Sequence, residues 1–181
     1  AAPGTGVNLI EARTNERAVV TGGISIASGA ILTLGSQSGS NTTSTSGVLE
    51  IQGPISGAGA VVFGTTAAAT SFGGIVALTG NSNGYGINTY SGGSTFQTTR
   101  VQIGGDTLFA GPATGPTILS GPFGTGTMTW LAGEGTNGFS IEAVGGDRTV
   151  VNAFGATSSA NSASFRFMGH ESLTFTRNWD I

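Results

Sequence analysis

Cysteine and lysine are both absent from this chain of 181 residues. Without cysteine the chain has no disulfide bonds, no zinc sites built on thiolates and no cysteine nucleophile. The six basic residues are all arginine, and with nine acidic residues they give a formal net charge of −3. Nucleic-acid binding requires a clustered basic surface, which six scattered arginines do not form. We therefore predict no nucleic-acid partner.

Charged residues of either sign are scarce, at 8% of the chain, against roughly 25% in ordinary soluble domains. Long apolar runs are missing as well, because none approaches the ~18 residues that a membrane-spanning helix requires. Glycine, which costs about 1 kcal/mol at a helical position, accounts for 33 residues. We therefore predict no membrane insertion by this segment and no long helix.

The chain contains instead many short segments in which apolar and polar residues alternate, as at 94–96, 127–131 and 139–143. Alternation with a period of two is typical of half-buried strands. Turns rich in glycine, serine, asparagine and threonine separate these segments, and two longer stretches, 35–47 and 81–88, are predicted to be loops. An all-β fold follows, with a sandwich, a closed barrel and a solenoid as the alternatives.

The low charge content favours the solenoid among these three. In a solenoid, equivalent residues of successive coils stack about 4.8 Å apart. Like charges repel at that spacing, so uncharged serine, threonine and asparagine replace them on the surface. We therefore predict a single segment over residues 1–181, a right-handed parallel β-helix (β-solenoid) of about seven to nine coils.

One phrase, I-E-A-x-x-x-[D/E]-R-x-V-V, occurs twice, at 10–20 and again at 141–151, an offset of 131 positions. Such an internal repeat predicts that the segment is an excerpt of a longer repetitive protein, with one ancient duplication within a short protein as the alternative. The acidic and basic residues of the phrase recur together, which indicates structural ion pairs at a coil corner. The predicted pairs are Glu11 with Arg17 and Glu142 with Arg148.

The stretch from 51 to 105 carries two further phrases, I-S-G-A-G at 55–59 and N-T-Y-S-G-G-S-T at 88–95. In these phrases the stretch resembles the autotransporter-associated β-strand repeat, found in passenger regions of large bacterial surface proteins. The resemblance implies a coil of a right-handed β-helix and supplies no catalytic residue. Its structural motif residues are Asn88, Thr89, Tyr90, Gly92, Gly93 and Thr95.

Physical roles follow for these residues. Asn88 is expected in an Asx-turn or in a ladder of asparagines. Tyr90 is expected to lie across a coil face with its hydroxyl at the edge. Gly92 and Gly93 are expected to allow positive φ angles where the chain turns a corner.

Catalytic and metal-binding patterns are weak. His170 is the one histidine, and no G-x-S-x-G phrase accompanies it. The nine acids form no tight cluster of the kind that β-helix polysaccharide hydrolases carry, and residues 104–108 hold one fragment of a calcium-binding nonapeptide rather than a tandem array. We therefore predict a protein that is not an enzyme and has no cofactor and no metal.

The repeat and the composition predict a non-catalytic structural module, and the resemblance implies that it is secreted or displayed on a bacterial cell surface. It would serve as an extended stalk, a coat or a filament subunit that stacks end to end with copies of itself or with adjacent repeats of the parent chain. The alternative is an adhesin module that binds a glycan or a host or cell-surface ligand, through its flat faces or through the loop at 35–47. A β-helix polysaccharide lyase or hydrolase ranks below both.

Overall fold

The fold is described from a computed structural model. The structure describes residues 8–37, 46–64, 74–97, 99–112, 115–132, 139–158, 165–177 and 179–180. Throughout these residues the regular structure is β-strand, and no helix occurs in them. It follows that no described helix is long and apolar enough to cross a membrane.

The strands are short and follow one another around successive coils. Their bounds are β1 (Asn8–Ala12), β2 (Arg17–Val20), β3 (Ile24–Ile26), β4 (Ile31–Ser36), β5 (Val48–Ile51), β6 (Ile55–Gly57), β7 (Ala60–Phe63), β8 (Ile75–Leu78), β9 (Asn81–Ser82), β10 (Tyr85–Gly86), β11 (Ser94–Phe96), β12 (Thr99–Ile103), β13 (Leu108–Ala110), β14 (Thr117–Ser120), β15 (Met128–Ala132), β16 (Phe139–Ala143), β17 (Arg148–Val150), β18 (Phe154–Ser158), β19 (Phe165–Met168), β20 (Leu173–Phe175) and β21 (Trp179–Asp180).

Two long parallel sheets form two walls of the molecule. Sheet I has the order β1-β4-β7-β11-β15-β18-β21, and sheet II has the order β2-β5-β8-β12-β16-β19. The third face is less regular and holds the parallel pairs β3–β6 and β17–β20. Each coil therefore contributes one strand to sheet I and then one to sheet II before it crosses the third face.

This arrangement is a parallel β-solenoid, which confirms the predicted fold class. The six strands of sheet II are joined by five steps, so the stack makes about five turns, fewer than the seven to nine coils predicted. The middle coils are longer than the roughly 20–25 residues that seven to nine coils in 181 residues imply, because β4 begins at Ile31, β7 at Ala60, β11 at Ser94 and β15 at Met128. Wide corners and inserted hairpins account for the difference.

The core lies inside the coils, where alternate residues of the two sheets point inward. In sheet II, Leu49, Val76, Val101 and Ile141 stack in register, and each is fully buried. Burying an aliphatic side chain of this size contributes about 1.5–3 kcal/mol. The inward column is therefore a main source of the coil-to-coil attraction.

Aromatic rings fill the interior near the corner between the two sheets. Phe96 stacks on Phe63 with ring centroids 5.1 Å apart and on Phe139 with centroids 4.5 Å apart. Phe165 of the next coil continues the row, 5.1 Å from Phe139. Stacked rings of this kind add about 0.5–1.5 kcal/mol per pair beyond their buried area.

The two copies of the I-E-A phrase occupy different walls. Residues 10–12 lie on β1 in sheet I, whereas residues 141–143 lie on β16 in sheet II. Both copies of the phrase form a strand, a corner and a second strand. They therefore share local geometry but not an equivalent position in the coil.

Two antiparallel hairpins interrupt the solenoid, β9 with β10 and β13 with β14. The loop predicted over 81–88 is therefore wrong for residues 81–86. Asn83 and Gly84 form its two-residue turn with φ angles of 53° and 85°, the backbone that an Asn-Gly hairpin turn favours. In the other predicted loop, Gly35 and Ser36 belong to β4, and residues 38–45 lie outside the described part.

Candidate functional site

Asn88 links three successive coils on the third face, where regular strand pairing is interrupted. Its Oδ1 accepts the backbone N–H of Ile55 at 2.9 Å, and its Nδ2 donates to the carbonyl of Pro122 at 2.9 Å. The residue is buried. The predicted Asx-turn is wrong because both partners are distant in sequence, and the predicted asparagine ladder is wrong because both partners are backbone groups. The side chain replaces ladder bonds that the irregular backbone does not make.

Asn152 has a related role two coils further on. Its Nδ2 donates to the carbonyls of Gly124 at 3.2 Å and Gly126 at 2.8 Å. Buried asparagine amides thus fasten the third face at two heights of the stack.

Tyr90 lies entirely inside the molecule, and the prediction that its hydroxyl lies at a coil edge is wrong. The hydroxyl is 2.6 Å from Ser94 Oγ, and Ser94 donates to the carbonyl of Phe123 at 3.2 Å. Because the single Ser94 proton goes to Phe123, the Tyr90 hydroxyl donates to Ser94. Burial raises the pKa of Tyr90 well above its ordinary value.

The remaining motif residues shape the corner and the strand that follow. The backbone N–H of Thr89 continues the pairing with the preceding coil. Gly93 has a φ of +90°, which confirms the predicted positive φ, but the same prediction is wrong for Gly92. A Cβ on Gly92 would lie 2.5 Å from the backbone of Gly59. Gly92 is therefore required for close approach of two coils. Thr95 lies half-buried in β11.

The outer face of sheet II carries two ion pairs, each between adjacent coils. Arg17 pairs with Glu50, and Arg100 Nη2 lies 2.5 Å from Glu142 Oε2. The arginine precedes its glutamate by one rung in both cases. These contacts hold neighbouring strands of sheet II together through side chains as well as backbone.

The predicted pairs Glu11 with Arg17 and Glu142 with Arg148 are therefore wrong as pairs. Glu11 Oε1 accepts from Gln37 Nε2 at 2.9 Å. Arg148 donates to the carbonyls of Val144 and Gly145, both at 2.9 Å. In each phrase a corner of the coil separates the glutamate from the arginine, so the two residues lie on different walls of the solenoid.

Both glutamates of the ion pairs are stabilised in their charged form. Hydrogen bonds from Gln52 and Thr79, together with Arg17, hold the pKa of Glu50 below its usual value of 4.5. Burial acts to raise the pKa of Glu142, but hydrogen bonds from Gln102 and Arg100 outweigh it, and the pKa is lowered. Charged, hydrogen-bonded carboxylates of this kind make structural contacts stronger than neutral ones.

The positions of these carboxylates bear on the hydrolase alternative. Glu50 and Glu142 stand in one outward column with Ala77 and Gln102 between them. Three rungs separate them by about 14 Å, whereas glycosidase carboxyl groups lie roughly 5–9.5 Å apart. His170 is exposed at a corner. In the part of the chain that the structure describes, no group of three or more histidine, aspartate or glutamate residues is placed to hold a metal.

The end coils expose residues that belong to the interior pattern. Phe167 is the last member of the inward column of sheet II, next to Ile141, yet 53% of its surface is exposed. At the other end of the same column, Ala18 is half-buried. Among the described residues, both ends of the inward column are therefore more exposed than its inner members.

Comparisons with known proteins define no family for this chain: no family model matches it, and neither a curated protein nor a solved structure does. The fold and the contacts between coils define a class, the parallel β-solenoids.

Proposed function

We propose that this chain is a non-catalytic structural module of a long, repetitive bacterial surface protein. Outside the cell it extends the parent protein as a stalk, a coat or part of a filament, and neighbouring solenoid coils add to its ends. The observation that carries the proposal is the exposure of inward positions at both ends of one continuous column, at Ala18 and at Phe167.

A further coil would cover these positions in the way that each coil covers the previous one. Inner members of the column, such as Val76 and Val101, have no exposed surface. Covering Phe167 to the same extent removes a large aromatic surface from water, which stabilises the contact by about 25 cal/mol per Å². The free backbone edge of β19 would be paired in the same step.

Sheet I extends one strand further than sheet II, and this difference indicates whether a separate copy or an adjacent repeat fits the end of the solenoid better. Sheet I extends to β21, whereas sheet II stops at β19. A separate copy that adds its β2 to β19 would find the place of its own β1 already taken by β21. An adjacent repeat that continues the same chain from β21 meets no such competition, so we favour adjacent repeats over separate copies.

The experiment is to measure, by small-angle scattering and negative-stain microscopy, the length of this chain and of a tandem fusion whose second copy lacks residues 1–12, so that β21 takes the place of its β1. We expect rods of constant width, with the fusion longer by about 30 Å, the rise of six steps between the seven strands of sheet I. Two independent globules on a flexible joint would contradict the proposal. Separate chains that assemble into longer rods would support stacking of copies instead of adjacent repeats.

A further inference from the structure

The two ion pairs on the outer face of sheet II share one geometry. In each, the arginine binds a glutamate that lies on the next strand, two positions beyond the residue with which the arginine is paired in register. Both arginines belong to one outward column, whose members are paired from strand to strand. The column is Arg17, Val48, Ile75, Arg100, Ser140 and Arg166.

Arg166, the last member of this column, is exposed in β19. Among the described residues it forms no ion pair, since the pairs there are the two named above. Glu142 lies at the mirror position on the preceding strand, but its Oε2 already accepts from Arg100 and Gln102. A Cβ on Gly169 would lie 3.0 Å from Oε1 of the same glutamate. The end of β19 thus crowds the other carboxylate oxygen.

The remaining titratable residues of the last coil lie off this strand. His170 and Glu171 follow β19 at an exposed corner, and neither pairs with Arg166. Arg177 lies beyond β20, on the way back to sheet I. The place that would complete the geometry is on the strand after β19, beside Met168, and β19 is the last described strand of sheet II. The partner of Arg166 must therefore come from a neighbouring coil.

We propose that Arg166 determines which coil can follow this chain, because it binds an acidic side chain on the next strand of sheet II, at the place beside Met168. The strand that fits resembles β5, which has Glu50 at that place. A strand like β2 would instead set Arg17 directly opposite Arg166. Opposite charges on neighbouring strands are stabilising, and like charges directly opposite each other are destabilising. The inference rests on the proposed function, and it names the chemistry of the neighbour.

The test compares two tandem fusions that differ in the strand placed after β19. The β2 fusion is the one described above, whose second copy lacks residues 1–12. In the β5 fusion the second copy lacks residues 1–36, so that β21 takes the place of its β4 and β5 follows β19. Arg166 of the first copy then occupies the place that Arg17 has in this chain, opposite Val48 and diagonal to Glu50.

Arg166→Gln is introduced into the first copy of each fusion and into the single chain. In the β5 fusion we expect the equilibrium constant of unfolding in urea to rise by about two- to fivefold, as for the loss of an exposed ion pair. In the β2 fusion we expect no rise, because the change removes a repulsion from Arg17. We expect no change in the single chain. Arg13→Gln in the first copy is the matched control, since Arg13 is exposed on the first coil.

Two further variants test the partner of Arg166. Glu50→Gln in the second copy of the β5 fusion should remove the effect of Arg166→Gln, since a double-mutant cycle isolates the pair. Val19→Glu in the second copy of the β2 fusion places an acidic residue beside Met168 without removing a coil. In that fusion Arg166→Gln should become destabilising, whereas Val19→Gln should not have this effect.

Equal effects of Arg166→Gln in the two fusions overturn the proposal, as does a cycle in which Arg166 and Glu50 are independent. If Arg166→Gln makes the single chain assemble, the arginine protects the free edge of β19 instead. Rods of the expected length on which Arg166→Gln has no more effect than Arg13→Gln remove this inference and leave the proposed function. Two globules on a flexible joint remove both.

Discussion

The side-chain oxygen of Asn88 accepts the backbone N–H of Ile55, 33 positions earlier in the sequence and one coil away in the structure, at 2.9 Å. This bond and the bond from Asn88 to Pro122 connect successive coils on the third face, where regular strand pairing is interrupted. Similar side-chain bonds between coils recur on sheet II, so the solenoid depends on particular polar residues as well as on its apolar column.

Asn88→Ala should therefore destabilise the chain strongly. The change leaves the N–H of Ile55 and the carbonyl of Pro122 buried without partners, each at a cost of about 1–3 kcal/mol. We expect the free energy of unfolding in urea to fall by about 2–5 kcal/mol in total. Asn81→Ala is the matched control, because Asn81 donates to two carbonyls from an exposed position. Equal losses in the two variants would contradict the bridging role.

Gly92→Ala tests the close approach of adjacent coils. The added Cβ would lie 2.5 Å from the carbonyl group of Gly59, so the two coils must separate locally. Overpacking of this kind costs about 1–3 kcal/mol. Gly22→Ala is the control, because a Cβ there has no atom within 4 Å and surface changes usually stay within about 0.5 kcal/mol. Thermal and urea unfolding measure both, and a Gly92→Ala protein as stable as Gly22→Ala would refute the close contact.

Because the pKa of Glu50 is lowered in the folded chain, the free energy of unfolding should depend on pH in the acidic range. The unfolded carboxyl titrates near 4.5 and the folded one below that value. The contribution of Glu50 is therefore complete above pH 4.5 and is lost as the pH falls through the folded pKa. We expect the free energy of unfolding to fall more between pH 7 and acid for the wild type than for Glu50→Gln. Glu171→Gln, which removes the same charge from an exposed residue, should retain the wild-type fall.

Because the hydroxyl of Tyr90 is buried, the free energy of unfolding should depend on pH in the alkaline range. Its pKa is raised above the ordinary 10.0, so the folded state keeps the proton after the unfolded state has lost it. The contribution is complete below pH 10.0 and is lost as the pH rises beyond it. In a Tyr85→Phe background Tyr90 is the sole tyrosine, and its absorbance reports ionisation directly. We expect ionisation to coincide with unfolding, and a phenolate that forms in the folded protein would contradict burial.

Removing the hydroxyl itself should have a modest effect at neutral pH. Tyr90→Phe leaves the ring in place and deletes one hydrogen bond to Ser94, which still donates to Phe123. A net loss of about 1 kcal/mol is expected in urea unfolding. A loss as large as that of Asn88→Ala would mean that the hydroxyl has partners besides Ser94.

The sequence predicts the strands and the solenoid class because the necessary information is local. Alternation at 94–96 and 139–143 corresponds to β11 and β16, since each side chain has only to face inward or outward. The scarcity of charge adds the preference for stacked coils. The hairpin at 81–86 was equally predictable, because Asn83 and Gly84 form a strong two-residue turn signal.

Partners between coils could not be predicted in this way. Arg17 pairs in register with Val48, 31 residues later, whereas Arg100 pairs with Ser140, 40 residues later. In both cases the glutamate lies two positions beyond the paired residue. Those distances depend on the length of every corner and hairpin in between. The same uncertainty explains why Glu11 and Arg148 were assigned the wrong partners, and why the number of coils was overestimated.

The corner between sheet I and sheet II varies greatly in length, from two residues at 97–98 to eleven at 37–47 and again at 64–74. The strands on either side keep their register despite this variation. Insertions are thus tolerated along one edge of the molecule at a spacing of about 4.8 Å. That edge offers a row of grafting points, at which peptides can be added to the solenoid without altering its rise.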